Sequence, residues 1–244
     1  MNWELLDEMA GENKAAEYVE IPDEGCGVYQ EEILESESLE QIGEGVFLEH
    51  MKGLFHRMKG LIEGREECET IIGNPEKDME SWHMQDSDVS CAVCCQEFIA
   101  EQVTGREFTE QEFCDLAEKQ GWFDPETGTA LKDVGRILEY MGFDVTHYEG
   151  VTVQELAQML ENGEKIIVGV NNMVLMNPEL ANVPGMSANH AVQVIGMDVA
   201  DPNNIQVILN DPGIPNGRGI RHSLDEFEAA WNTGNRFTIS ATKE

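Results

Sequence analysis

Two apolar runs constrain the fold of this chain more than any other feature. KIIVGV, residues 165–170, and HAVQVIGM, residues 190–197, are short, rich in β-branched residues and flanked by polar segments. That pattern predicts buried strands. DPNN at 201–204 predicts a turn, and residues 205–210 predict a strand that pairs back on the second run. Residues 143–148 alternate like a strand, and 236–240 predict the last one. Helices are announced by their first residues. Ser90 is placed to cap a helix over 91–103. Thr109 with Glu112, Thr152 with Glu155, and Ser223 with Glu226 have capping-box spacing. The first of these opens a helix ending near Gln120 and the last a short helix to Trp231. A further helix is expected over 131–141, stopped by Gly142. Helices come first and strands follow in mostly sequential order, so the fold class expected is α+β rather than a doubly wound sheet. There is no internal repeat.

Residues 1–81 read differently from residues 82–244, and the chain is divided there into an acidic helical extension and a second domain. Residues 1–38 are acidic and weakly periodic. Leu39, Ile42, Val46, Phe47, Met51, Leu54, Phe55, Met58, Leu61 and Ile62 recur at helical spacing, predicting an amphipathic helix whose apolar face packs on the second domain. Residues 66–83, with GNPEKD at 73–78, read as a linker.

The chain of 244 residues carries 48 acidic and 15 basic side chains, a net charge of −33. Such a surface repels phosphate backbones and anionic membranes, so neither nucleic acid nor membrane is expected as a partner, whereas basic peptides are attracted. No run approaches the roughly 18 apolar residues of a membrane span. The opening MNWELLDEMAGENK lacks the basic start and apolar core of a signal peptide. A cytoplasmic location with free thiols is therefore expected, export by an unconventional route remaining open.

The six cysteines are Cys26, Cys68, Cys91, Cys94, Cys95 and Cys114. Cys91 falls at a predicted helix N-terminus, where the dipole favours a thiolate. Cys94 and Cys95 lie a turn further in and are poorer nucleophiles. His190 stands at the mouth of a strand. Asp211, in LNDPG, closes the paired strand and is placed to orient an imidazole. Each has a plain alternative: a buried small hydrophobe, a strand-end histidine, a turn aspartate. Gln85, six residues before Cys91, is placed to join the Cys91 backbone N–H in binding an oxyanion. The C-x-x-C-C cluster at 91–95 lacks a second cysteine pair or suitably spaced histidines, so no metal is expected, and no cofactor.

In combination, QDSDVSCAV (85–93), FDPETGT (123–129), NHAVQVIGMD (189–198), ILNDPG (208–213) and SLDEFEAAW (223–231) resemble the papain-like cysteine peptidases that trim double-glycine leaders from bacteriocin precursors, especially their stand-alone relatives. The resemblance covers roughly residues 82–241. It implies a papain-like fold, with a helical half packed on an antiparallel sheet, and a bacterial thiol protease acting on peptide or protein substrates. It also implies Cys91 as nucleophile, His190 as general base, Asp211 as orienting acid and Gln85 as oxyanion donor. The chain has no P-loop, so a transporter-fused member is not expected. Deamidases or transglutaminase-like effectors on the same fold, and idle peptide-binding modules, remain open alternatives, as does the oligomeric state. The 171–189 loop, with Met173, Met176 and Met186, is expected to cover or gate the site.

Overall fold

The two apolar runs become the middle of a sheet. The structure, a computed structural model, describes residues 70–243. Residues 1–38 and the amphipathic helix expected over 39–62 lie outside them. Within the described residues the strands are β1 Ile71–Gly73, β2 Asp144–Tyr148, β3 Lys165–Val170, β4 His190–Asp198, β5 Gln206–Asn210, β6 Ile220–Ser223 and β7 Thr238–Thr242. They run β2-β7-β3-β4-β5-β6 across the sheet, every pair antiparallel. β4 continues beyond the start of β3, and β1 pairs with that overhang, Ile72 opposite Met197. The helices are α1 Pro75–Asp78, α2 Cys91–Thr104, α3 Glu110–Gln120, α4 Arg136–Tyr140, α5 Val153–Glu161, α6 Asn172–Met176 and α7 Leu224–Asn232.

Both faces of the sheet are covered, which is why its central strands read as continuous apolar runs. Ile166, Val168 and Val170 of β3 share a core with Leu156 and Leu160 of α5 and Phe227 and Trp231 of α7. Ile167, pointing the other way, packs with Ile99 of α2, Phe113 of α3 and Ile137 of α4. The architecture is α+β, with helices packed on an antiparallel sheet. No helix among the described residues is long and apolar enough to cross a membrane.

All three capping boxes form, each hydroxyl accepting from the N3 amide while the glutamate accepts from the cap residue. Four expectations need correction. Ser90 precedes α2, but its hydroxyl donates to the Ser87 carbonyl at 2.8 Å and leaves the helix uncapped. The helix expected over 131–141 is a 3-10 turn, Leu131–Asp133, followed by α4. Gly135 breaks it with φ of +98°, and a side chain there would strike Val145. The final strand starts at Thr238 because Asn235 and Arg236 adopt positive φ. Arg236 is held over the Trp231 ring at 5.4 Å and pairs with Glu228 at 2.7 Å. The linker expected over 66–83 is, from Ile71 on, part of the sheet and its packing. Asp78, almost fully buried, meets Lys165 of β3 at 2.6 Å. β6 had no counterpart in the sequence reading.

Candidate active site

Cys91 is the first residue of α2, and four residues on, Cys95 shares its helix face. That face lies against β4, where the Cys95 thiol donates to the Ala191 carbonyl at 3.5 Å. The packing sets Cys91 beside the start of the strand, which is His190. Across the sheet, Asn210 of β5 pairs with Gln193, so the residue that follows it, Asp211, reaches the same end. His190 Nε2 lies 2.7 Å from Asp211 Oδ1. A carboxylate can only accept, so Nε2–H donates and Nδ1 is left for the Cys91 thiol, with which the imidazole is also hydrogen-bonded. The same Asp211 oxygen accepts from the Gly213 amide at 2.8 Å.

The electrostatics of this end differ sharply from one thiol to the next. Burial alone would push the Cys91 thiol up. The hydrogen bond and charge of His190, with the Ala191 and Ala92 amides, outweigh that and bring it below the ordinary thiol value. Burial would likewise lower His190, but the hydrogen bonds and charges of Asp211 and Cys91 raise it. The geometry therefore favours a thiolate–imidazolium pair. Cys94 and Cys95, with no such partners, are driven far above the thiol range by burial and by neighbouring negative groups. Cys114 is pushed up to about 12, by burial first and then by Glu110. Cys26 and Cys68 lie outside the described residues.

Gln85 joins the group through its backbone. Its amide donates to the Pro212 carbonyl at 2.9 Å, one residue past Asp211. Its side-chain Nε2 donates to the Ser87 carbonyl at 2.6 Å, using one of two N–H groups and leaving the other. Its Oε1 is buried without a partner. All four residues singled out from the sequence thus converge on one end of the sheet. The 171–189 loop is anchored differently. Val174 and Leu175 are buried in the α5 and α7 core, on the face opposite α2, while Met173 and Met176 are exposed.

Two positioning residues escaped the sequence reading. Trp82 Nε1 donates to the Asp211 carbonyl at 2.8 Å, tying the segment before α2 to the carboxylate's own backbone. Gly213 belongs to a turn sequence, but its need for glycine is set by the imidazole. A Cβ there would come within 2.8 Å of His190 Cε1. A tryptophan opening the crisply patterned region was the one available signal for the first, and nothing local distinguishes the second from an ordinary turn glycine.

No known family model matches the chain. Uncharacterized proteins of Mycobacterium bovis and of two strains of Mycobacterium tuberculosis are 28% identical to it over 201 residues, covering 71% of this chain and 85% of each relative. Among solved structures, a putative C39-like peptidase from Bacillus anthracis has a TM-score of 0.49 at 16% identity, covering 67% of this chain and 94% of that one. The peptidase domain of Streptococcus ComA, a bi-functional ABC transporter, has a TM-score of 0.46 at 16% identity, with 67% and 98% covered. A double glycine motif protease from a PCAT transporter, in complex with a leader peptide, has a TM-score of 0.42 at 12% identity, with 67% and 91% covered.

Proposed function

We propose that the protein is a papain-like cysteine peptidase, a hydrolase of the stand-alone branch that the sequence resembles. The observation that carries this reading is the hydrogen-bonded chain from the Cys91 thiol through His190 to Asp211, at a helix N-terminus. The Cys91 thiolate attacks a peptide carbonyl, and the developing oxyanion is met by the Cys91 amide and the free N–H of Gln85. His190 gives its proton to the leaving amine as the C–N bond breaks, which leaves a thioester. It then takes a proton from water, whose oxygen displaces the thiolate and releases the acid. Asp211 holds the ring in the tautomer this needs. The substrates are peptide or protein segments, basic ones favoured by the net charge of −33.

Limiting iodoacetamide near neutral pH, followed by peptide mapping, should label Cys91 before the other five cysteines. Peptide libraries analysed by mass spectrometry should then yield new termini with wild-type protein and none with Cys91→Ala. Mass gains of a single deamidation without chain cleavage would replace the peptidase by a glutamine deamidase on the same residues. Intact peptides together with an unreactive Cys91 would leave a binding module.

A further inference from the structure

Behind the turn that carries Gln85 lies a cluster of metal-binding groups that the peptidase chemistry does not use. His83, Cys94 and Glu97 each present one donor atom, all within 4.8 Å of one another. Cys94 and Glu97, three residues apart on α2, project to one side of the helix and are 0% and 1% exposed. A carboxylate so deeply buried needs a cation or several donors. Glu97 Oε2 has His83 Nε2 at 3.0 Å, and among the described residues no lysine or arginine pairs with it.

The histidine's other nitrogen supplies an independent sign. Nδ1 lies 3.1 Å from the Met84 carbonyl, to which it donates. An imidazole so held directs Nε2 at Glu97 and Cys94, and a backbone carbonyl on the far nitrogen is the usual support of a metal-ligating histidine. Something positive must stand between the Nε2 lone pair and the carboxylate, either a proton or a metal ion. A proton joins only the histidine and the carboxylate and leaves the thiol to Glu110, whereas an ion would engage all three donors at once.

We propose that His83, Cys94 and Glu97 bind a zinc-class divalent cation in a structural site that fastens the turn before α2 to the helix. The nitrogen, sulfur and oxygen donors suit zinc. Ligands sharing a four-coordinate zinc stand roughly 3–4 Å apart, so the three groups close on it by shifts of about 1 Å. Cys94 gives up its thiol proton, and Nε2 any proton it holds, to solvent. The fourth position falls to water or to Glu110, a buried carboxylate beside the Cys94 thiol that also accepts from the Asp86 amide at 2.7 Å. The side chain of His83 is 38% exposed and provides the way in. The site stands apart from the proposed peptidase reading and does not depend on it.

The test is metal content of the full-length protein after zinc loading and gel filtration, with cobalt as a spectroscopic stand-in. Wild-type protein should retain about one ion per chain, and cobalt should show a thiolate charge-transfer band. Cys94→Ala and His83→Gln should each weaken binding by more than the roughly 10- to 100-fold that loss of a supporting outer group costs. Cys91→Ala should keep both ion and band. A metal-free wild type overturns the proposal, as does a band that survives Cys94→Ala. Loss of the ion in Cys91→Ala also overturns it, because the metal then sits on the Cys91–His190 pair. If thermal melts show that Cys94→Ala does not fold, the half-exposed His83→Gln decides alone.

Discussion

At Gly213 the imidazole of His190 packs directly on a backbone position, where an added Cβ would lie 2.8 Å from Cε1 and 3.0 Å from Nε2. The ring cannot yield freely, since it is tied to Asp211 on one side and Cys91 on the other. Gly213→Ala should therefore displace the catalytic ring while leaving the core intact. Its kcat/KM on a cleavable peptide should fall by about 100-fold with Tm nearly unchanged, the scale expected for a misplacement of about 1 Å. Unchanged kinetics would show that the ring has slack. The same pair of residues sets the pH response. Cys91 ionises below the ordinary thiol value and His190 loses its proton above the ordinary imidazole value, so the ion pair exists between the two. Cleavage should be bell-shaped in pH, rising as Cys91 deprotonates and falling as His190 does. Asp211→Asn removes the charge that helps to raise His190, so its alkaline limb should move to lower pH. An alkaline limb that stays in place would separate Asp211 from the imidazole.

At the scale of elements, Gln96 locks the helix carrying Cys91 to its neighbour. It is 1% exposed, and its Oε1 accepts from the amides of Gly135 and Ile137 at 2.9 and 3.1 Å. Both amides stand at the start of α4, where the helix offers them no acceptor of its own, and the opposite end of the Gln96 amide donates to the Ala92 carbonyl. Gln96→Leu strands two buried N–H groups and should lower unfolding free energy by about 2–4 kcal/mol in urea titration. A loss within error would mean that water reaches those amides. Gln96 also illustrates what the sequence conceals. Capping boxes are local, three residues from hydroxyl to carboxylate, and all three were legible. The break at Gly135 depends on an oxygen 39 residues away, so the segment 131–141 read as one helix. Cys91, His190 and Asp211 were legible as a set because each stands at the end of an element that local pattern predicts. Trp82 and Gly213 act through contacts made only in the fold, and so does His83 beside Cys94. β1 is three residues long and stands in the sheet because β4 offers it an open edge.

For the molecule as a whole, several contacts cross the division expected between residues 81 and 82. The Thr70 carbonyl accepts from the Val199 amide at 2.8 Å, and β1 completes the overhang of β4. Asp78 is more deeply involved. Both its oxygens lie 2.6 Å from Lys165 Nζ, and its carbonyl accepts from Gln102 of α2 and Asn210 of β5. One residue from this segment thus joins α2, β3 and β5, the elements that carry or flank Cys91 and Asp211. We propose that the folded unit begins at about Thr70. Removing residues 2–69 should then leave the urea midpoint close to that of the full chain. Removing residues 2–81 takes away β1 and leaves Lys165 facing an interior without its carboxylate. In the full-length protein, Asp78→Ala isolates that part of the loss. Stranding one member of a buried pair costs roughly 3–5 kcal/mol, and partial exposure of the lysine reduces this to about 2–4 kcal/mol. The longer deletion should lose at least as much as Asp78→Ala, because it also removes the β1 pairing and the acceptor for Gln102 and Asn210. Equal midpoints for the two deletions would return residues 70–81 to the acidic extension and restore the boundary at residue 81.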